Sequence, residues 1–298
     1  MTIQISPFSQ EHASAIAALL NEEYKNTYEF IPFDEKTVLS HVRKHHLKIL
    51  VAEERGKPKG FIGTHPEEHS EESIHWLAAQ NGNDHASIEN MLIREIEKNA
   101  KGDTVSTMVD EGSPRINDWV DRGYVLQPGF QRMSAKLNNL KPVPKVAEDI
   151  TLRSLNAGEE EKLVAVMNAG FGWPRLEAGA LQTWKTEDPP FSEEWVQVAE
   201  VNPRFVSAVV ARPDTDYERY FRLKRGYLGP AATLPDFRNK HLASALTTQA
   251  MNFLFRRGIE SVRLGTSEQN ASSIALLTSL GFQVDNVRKI LRKKLRNA

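Results

Sequence analysis

The chain has no cysteine, which excludes disulfides, thiolate metal ligands and a cysteine nucleophile together and leaves any catalysis to other groups. It has almost no net charge either. Its 38 basic and 39 acidic residues leave a formal charge of -1, so no global field draws it to nucleic acid or an anionic membrane. No apolar run approaches the roughly 20 residues a membrane-spanning helix needs, and Met1-Thr2-Ile3-Gln4-Ile5 has neither the basic nor the long apolar region of an export signal. The expectation is a cytoplasmic protein with no membrane contact. What is present is a globular composition, 40% hydrophobic and 26% charged over 298 residues, enough for two domains that each bury a core.

The strongest seam is Asn138-Asn139-Leu140-Lys141-Pro142-Val143-Pro144-Lys145, where two prolines and polar residues follow a strand-like segment, 130–137. It divides the chain into a domain at 1–138, a linker at 139–149 and a domain at 150–298. The two parts open alike, with short strands at Ile3-Gln4-Ile5 and Ile150-Thr151-Leu152 before helical stretches at 11–24 and 158–168. Two strands around a turn follow in each, and then strand, helix, strand, helix, strand. Gly123-Tyr124 and Gly281-Phe282 close the last helix of each part with glycine at the favoured C-terminal position. The alternation predicts an α/β class, two similar domains each with a mixed sheet covered by helices.

The chemically informative run is 227–246, a strand that stops at Pro235 and turns through Arg238 into a helix. Main-chain N–H groups without partners and the aligned peptide dipoles make such a helix start an anion site, to which Arg238 and Lys240 add full charges. Leu242, Ala245, Leu246, Phe253 and Leu254 recur at helical spacing and predict a helix held against the sheet.

Pro235-x-x-Arg238 with Leu242-Ala243-x-x-Leu246, followed by Asn270 and a short helix ending at Gly281-Phe282, resembles the coenzyme A signature of the GNAT acetyltransferase superfamily. The resemblance covers roughly the last third of the chain. It implies two tandem acyl-CoA N-acyltransferase-like domains, the first degenerate, and an acetyl group moved from acetyl-CoA to the amine of a small-molecule or peptide acceptor. By that resemblance the main chain of Ala232, Thr233 and Leu234 pairs with the pantetheine arm. Arg238, Asn239, Lys240, His241, Leu242 and Ala243 hold the pyrophosphate, and Asn270 approaches the pantetheine. His241 stands where the family has glycine, and Leu277 where many members carry a tyrosine that protonates the thiolate. Those departures keep open a second reading, a catalytically inactive protein of this fold that senses acyl-CoA or a partner.

For the base that deprotonates the amine, Glu268 and Glu218 are the candidates, with Tyr217 and Tyr220 as remote acids. The first domain's loop at 81–87 lacks arginine and carries Asp84, so no coenzyme is expected there. Trp173, Trp184 and Trp195 cluster in sequence with Phe171 and Phe191, more as core than as an acceptor wall. His65-Pro66-Glu67-Glu68-His69 matches a zinc-protease pattern but contains proline and lacks apolar periodicity, and His41, His45 and His46 read as a solvated helix end, so no metal is expected. The basic run at 288–296 reads as an edge strand rather than a nucleic-acid site. A monomer or homodimer is expected.

Overall fold

The computed structural model describes residues 3–65 and 71–295, and the pattern at 65–69 therefore lies mostly outside the described residues. The chain divides into two compact units, 1–129 with 286–298, and 130–285.

The first unit runs β1 (Gln4–Pro7), α1 (Ala13–Tyr24), α2 (Glu35–Lys44), β2 (Lys48–Glu54), β3 (Lys57–Thr64), β4 (Glu71–Ala79), α3 (His85–Asn99), β5 (Thr104–Asp110) and α4 (Arg115–Asp121), then enters β6 (Val125–Lys136). Its sheet order is β1-β2-β3-β4-β5 and then the chain's last strand, β12 (Gln283–Lys294), antiparallel to β5 from Arg288↔Asp110 to Lys294↔Thr104. Side chains that alternate along the strands divide the core in two. Val51, Phe61, Trp76 and Ala78 pack against Ile16 and Leu20 of α1, while Ala52, Ile62, Leu77 and Ala79 pack against Ile88 and Leu92 of α3. Buried Ala13, Ile16, Ala17 and Leu20 form one face of α1 at helical spacing, each leucine or isoleucine worth about 1.5–3 kcal/mol when fully buried.

The second unit runs β7 (Thr151–Ser154), α5 (Glu160–Phe171), α6 (Ala180–Glu187), β8 (Val196–Val201), β9 (Arg204–Pro213), α7 (Thr215–Phe221), β10 (Arg225–Thr233), α8 (Leu242–Arg256), β11 (Ser261–Ser267) and α9 (Ala271–Ser279), an order that, α7 aside, follows the first unit's. Its sheet order is β7-β8-β9-β10-β11, completed by the Phe130–Lys136 part of β6 antiparallel to β11. Each unit thus takes its final strand from the other half of the sequence.

The compact units do not divide where the composition does: residues 139–149 lie inside the second. There the Lys141 N–H donates to Asn252 Oδ1 (2.8 Å), Asn252 Nδ2 donates to Lys141 O (2.8 Å), and Lys141 Nζ donates to Leu280 O. The proline-rich segment is bolted to α8 instead of hinging. The basic residues of β12 are ion-paired within the first unit, Arg292 to Glu71 (2.9 Å), Lys293 to Glu97 (2.9 Å) and Lys289 to Glu111 (3.0 Å). Among the described residues, no helix is long and apolar enough to cross a membrane.

Candidate active site

In the second unit β10 pairs in parallel with β11 only through Arg225↔Ser261, Gly226↔Val262 and Tyr227↔Arg263, and the two strands then part. On its other edge β10 follows β9 as far as Thr233↔Ser207, with one extra residue accommodated between Leu228 and Ala231. Leu234 N–H donates to Val206 O (2.9 Å), and antiparallel alternation then turns the N–H and C=O of Ala232 toward β9 as well. Those of Ala231 and Thr233 face the gap. Of the main-chain positions at 232–234, therefore, Thr233 alone is turned toward the gap, and Ala231 joins it.

Directly beyond the gap the chain makes a 3-10 turn at Pro235–Phe237 and enters α8. Asn239 and His241 have φ of 62° and 61°, so the backbone passes twice through the left-handed region before the helix starts. Turns of this kind aim successive N–H groups at one point. Those of residues 239–244 have no acceptor among the described residues, and Arg238, Asn239, Lys240 and His241 are exposed. Buried Leu242, Ala245, Leu246 and Leu254 press α8 onto the sheet and hold that ring of donors in place. The Arg238 guanidinium folds back, donating through Nη2 to Gly170 O (3.0 Å) and through Nε to Thr233 O (3.4 Å). It thereby ties the end of α5 to the mouth of the gap. Gly170 is required there, since a β-carbon on it would stand 2.7 Å from Ala232 Cβ.

An open strand edge leading to a bare helix start suits a ligand with an amide arm and an anionic end. Residues 155–282 match the acetyltransferase (GNAT) family. Over 152 residues, 48% of this chain and 48% of the relative, the sequence is 27% identical to a mycothiol acetyltransferase of Saccharomonospora viridis, so the match spans about half of that protein's length. Likeness of fold extends over both units. A GCN5-related N-acetyltransferase from Sphaerobacter thermophilus superposes with a TM-score of 0.71 at 16% identity, covering 99% of this chain and 96% of that one. A tandem GNAT protein from the clavulanic acid biosynthesis pathway gives 0.71 at 13% identity, covering 100% of each chain. The fold is that of a tandem GNAT protein.

The first GNAT-like unit has the same gap, closed from within. Its β4 pairs in parallel with β5 only as far as Ile74↔Thr107. Leu77 is the seventh residue of β4, as Ala231 is of β10, both strands being 9 residues long. The Tyr24 hydroxyl, at the end of α1, donates to Leu77 O and accepts from Leu77 N–H, each at 3.2 Å. Burial pushes that phenol up to about 12. Near the start of α3 the protein supplies its own anions: Arg115 binds Glu89 (2.6 Å) and Glu23 (3.2 Å), with Arg122 on the other Glu89 oxygen (2.7 Å). Glu89 is fully buried. Together with His85 these carboxylates converge closely enough to hold a cation, but Arg115 already supplies it.

The remaining candidates separate. Glu268 follows β11 directly and, counted along the register, lies level with Ala232 across the gap. Glu218 is on α7, between the end of β9 and the start of β10, and is exposed. The nine residues from Arg225 to Thr233 span roughly 26 Å, so Glu218, Tyr217 and Tyr220 sit at the far end of the strand from the helix start. Asn270 caps α9, its Oδ1 accepting from Ser273 N–H (3.1 Å). Leu277 is 4% exposed and points into the core, so a tyrosine at that position would face the interior.

The aromatic residues also divide. Trp195 and Phe191 are buried, whereas Phe171 and Trp173 are 38% and 40% exposed, packed edge to face at 5.7 Å with Arg175 over both rings. They adjoin Gly170 at the mouth of the gap. Sequence reasoning treated the five aromatics as one group. Gly172, at φ 80° beyond the end of α5, was the available signal that the chain turns out between Phe171 and Trp173.

Proposed function

We propose that the second unit is an N-acetyltransferase that uses acetyl-CoA as cosubstrate and acetylates an amine carried by a partly apolar or aromatic acceptor. One observation carries this: the Ala231 main chain and the Thr233 N–H lie open along the gap, which leads directly to the unpaired N–H groups of residues 239–244. The pantetheine amides match the first and the diphosphate matches the second, where the helix dipole adds about half a positive charge. The residues present therefore fit the coenzyme, with exposed Lys240 beside the helix start as an added cation.

The reaction is attack of a neutral amine on the thioester carbonyl. A C–N bond forms, the C–S bond breaks, and the amine proton leaves to a base. The Thr233 N–H is placed to donate to the developing oxyanion, and Glu268 is the candidate base across the gap. No acid is required for the thiolate, because a thiol of pKa about 8.5 is an adequate leaving group near neutrality, which accommodates the buried Leu277. Phe171, Trp173 and Arg175 form the rim against which the acceptor rests.

The test is thiol release from acetyl-CoA with a panel of small amines and peptide N-termini. Amine-dependent release is expected, reduced by about 100-fold in Glu268→Gln, in line with loss of a general base. Tight binding of acetyl-CoA with no amine raising thiol release above hydrolysis would overturn the assignment.

A further inference from the structure

We infer that His41, His45 and His75 of the first unit form a binding site for a divalent transition-metal ion such as zinc, oriented by His65. His41 and His45 are one turn apart at the end of α2, a helix fixed at its start by Asp34 accepting from Thr37 N–H (2.7 Å). Residues at that spacing share a helix face. His75 enters from β4, where the pairing slips between Gly63↔Trp76 and Thr64↔Ile74 and leaves His75 as the extra residue of a bulge. Bulges re-aim side chains, and this one turns the imidazole toward α2.

Two of the nitrogens stand at the separation of a ligand pair. His41 Nε2 stands 3.2 Å from His75 Nε2, close to the roughly 3.3 Å expected between two imidazole nitrogens bound tetrahedrally at 2.0–2.1 Å. The other His75 nitrogen, Nδ1, is 3.0 Å from His65 Nε2. Metal-bound histidines characteristically donate their second N–H to such a partner, which fixes tautomer and ring plane. The His45 ring lies 4.3 Å from that of His41 and 5.9 Å from that of His75, which makes it the third imidazole of the cluster. Trp76 stacks on His41 at 4.8 Å and Phe33 meets it edge-on at 6.1 Å, so that ring is held in orientation. An all-imidazole set suits zinc, copper or nickel.

This inference concerns the first unit and is independent of acyl transfer. Its test is calorimetric titration of the untagged, chelator-treated full chain with Zn²⁺. One ion per chain is expected, with affinity lost in His41→Ala and His75→Ala, weakened at least about tenfold in His65→Ala, and unchanged in His46→Ala, an exposed control. His45→Ala, which alters only the end of a helix, serves if the other variants fail to fold and is expected to weaken binding by at least about tenfold. No uptake by the wild-type chain, or uptake equal in wild type and His45→Ala, would overturn the proposal.

Discussion

The Tyr24 hydroxyl satisfies both main-chain groups of Leu77, at 3.2 Å each, in the strand position that Ala231 occupies in the second unit. One side chain distinguishes a filled gap from an open one. Both come from the same topology: a strand that follows its parallel neighbour for a few residues and then departs from it.

Tyr24→Phe removes the hydroxyl and leaves a buried N–H and C=O without partners, at a cost of about 1–3 kcal/mol. Because burial raises the phenol from 10.0 to about 12, its protonated form is the one the fold favours. The contribution is therefore complete below pH about 10 and is lost as pH rises through about 12. Urea unfolding of both proteins at neutral pH checks the first statement, and ultraviolet titration of the tyrosines checks the second. Equal stability of wild type and variant would contradict the plug.

Gly170→Ala gains about 1 kcal/mol of helix propensity. The added methyl nevertheless stands 2.7 Å from Ala232 Cβ and forces α5 away from β10, stretching the Arg238 bond to Gly170 O. Acetyl-CoA affinity is expected to fall by at least about tenfold while the unfolding midpoint changes little, since overpacking of about 1–3 kcal/mol opposes the propensity gain. Calorimetry with acetyl-CoA reads this directly, and an unchanged Kd would contradict the geometry.

His241→Gly relaxes a residue held at φ 61°. A β-carbon in the left-handed region costs about 1–2 kcal/mol, of which glycine's greater unfolded-state freedom offsets about 0.5–1. The variant is expected to be as stable as wild type or more stable by up to about 1.5 kcal/mol. His241→Val, β-branched at the same φ, is expected to be less stable than either. Denaturant midpoints at constant slope decide it, and a glycine variant as unstable as the valine one would contradict the assignment of strain.

Fragment 150–298 omits Phe130–Lys136, the partner of β11, and retains a β12 whose own partner is β5. It is expected to aggregate, because two unpaired strand edges are exposed. Fragment 130–285 is expected to remain soluble and to show cooperative unfolding. The reverse outcome in gel filtration would contradict the exchanged strands.

These contrasts mark what a sequence carries and what it leaves to tertiary pairing. Period and punctuation were enough for α8, since Leu242, Ala245, Leu246 and Leu254 lie on its buried side as their spacing requires. Which sheet a strand joins is not written in its alternation, and 130–136 and 286–294, read as the closing strands of their own domains, each close the other unit's sheet. Pro142 and Pro144 suggested a linker between domains, because nothing in composition reveals that Asn252 would bond Lys141 twice. Glu218 resembled a base until α7 placed it at the other end of β10. His75 gave no signal, because a bulge is a property of two strands together.

The most direct measurement is amide hydrogen exchange of the full chain with and without acetyl-CoA. The account predicts slowed exchange at 239–244 and at Ala231 and Thr233, with no change around Leu77. Protection at Leu77, or none at 239–244 when the coenzyme is bound, would contradict it.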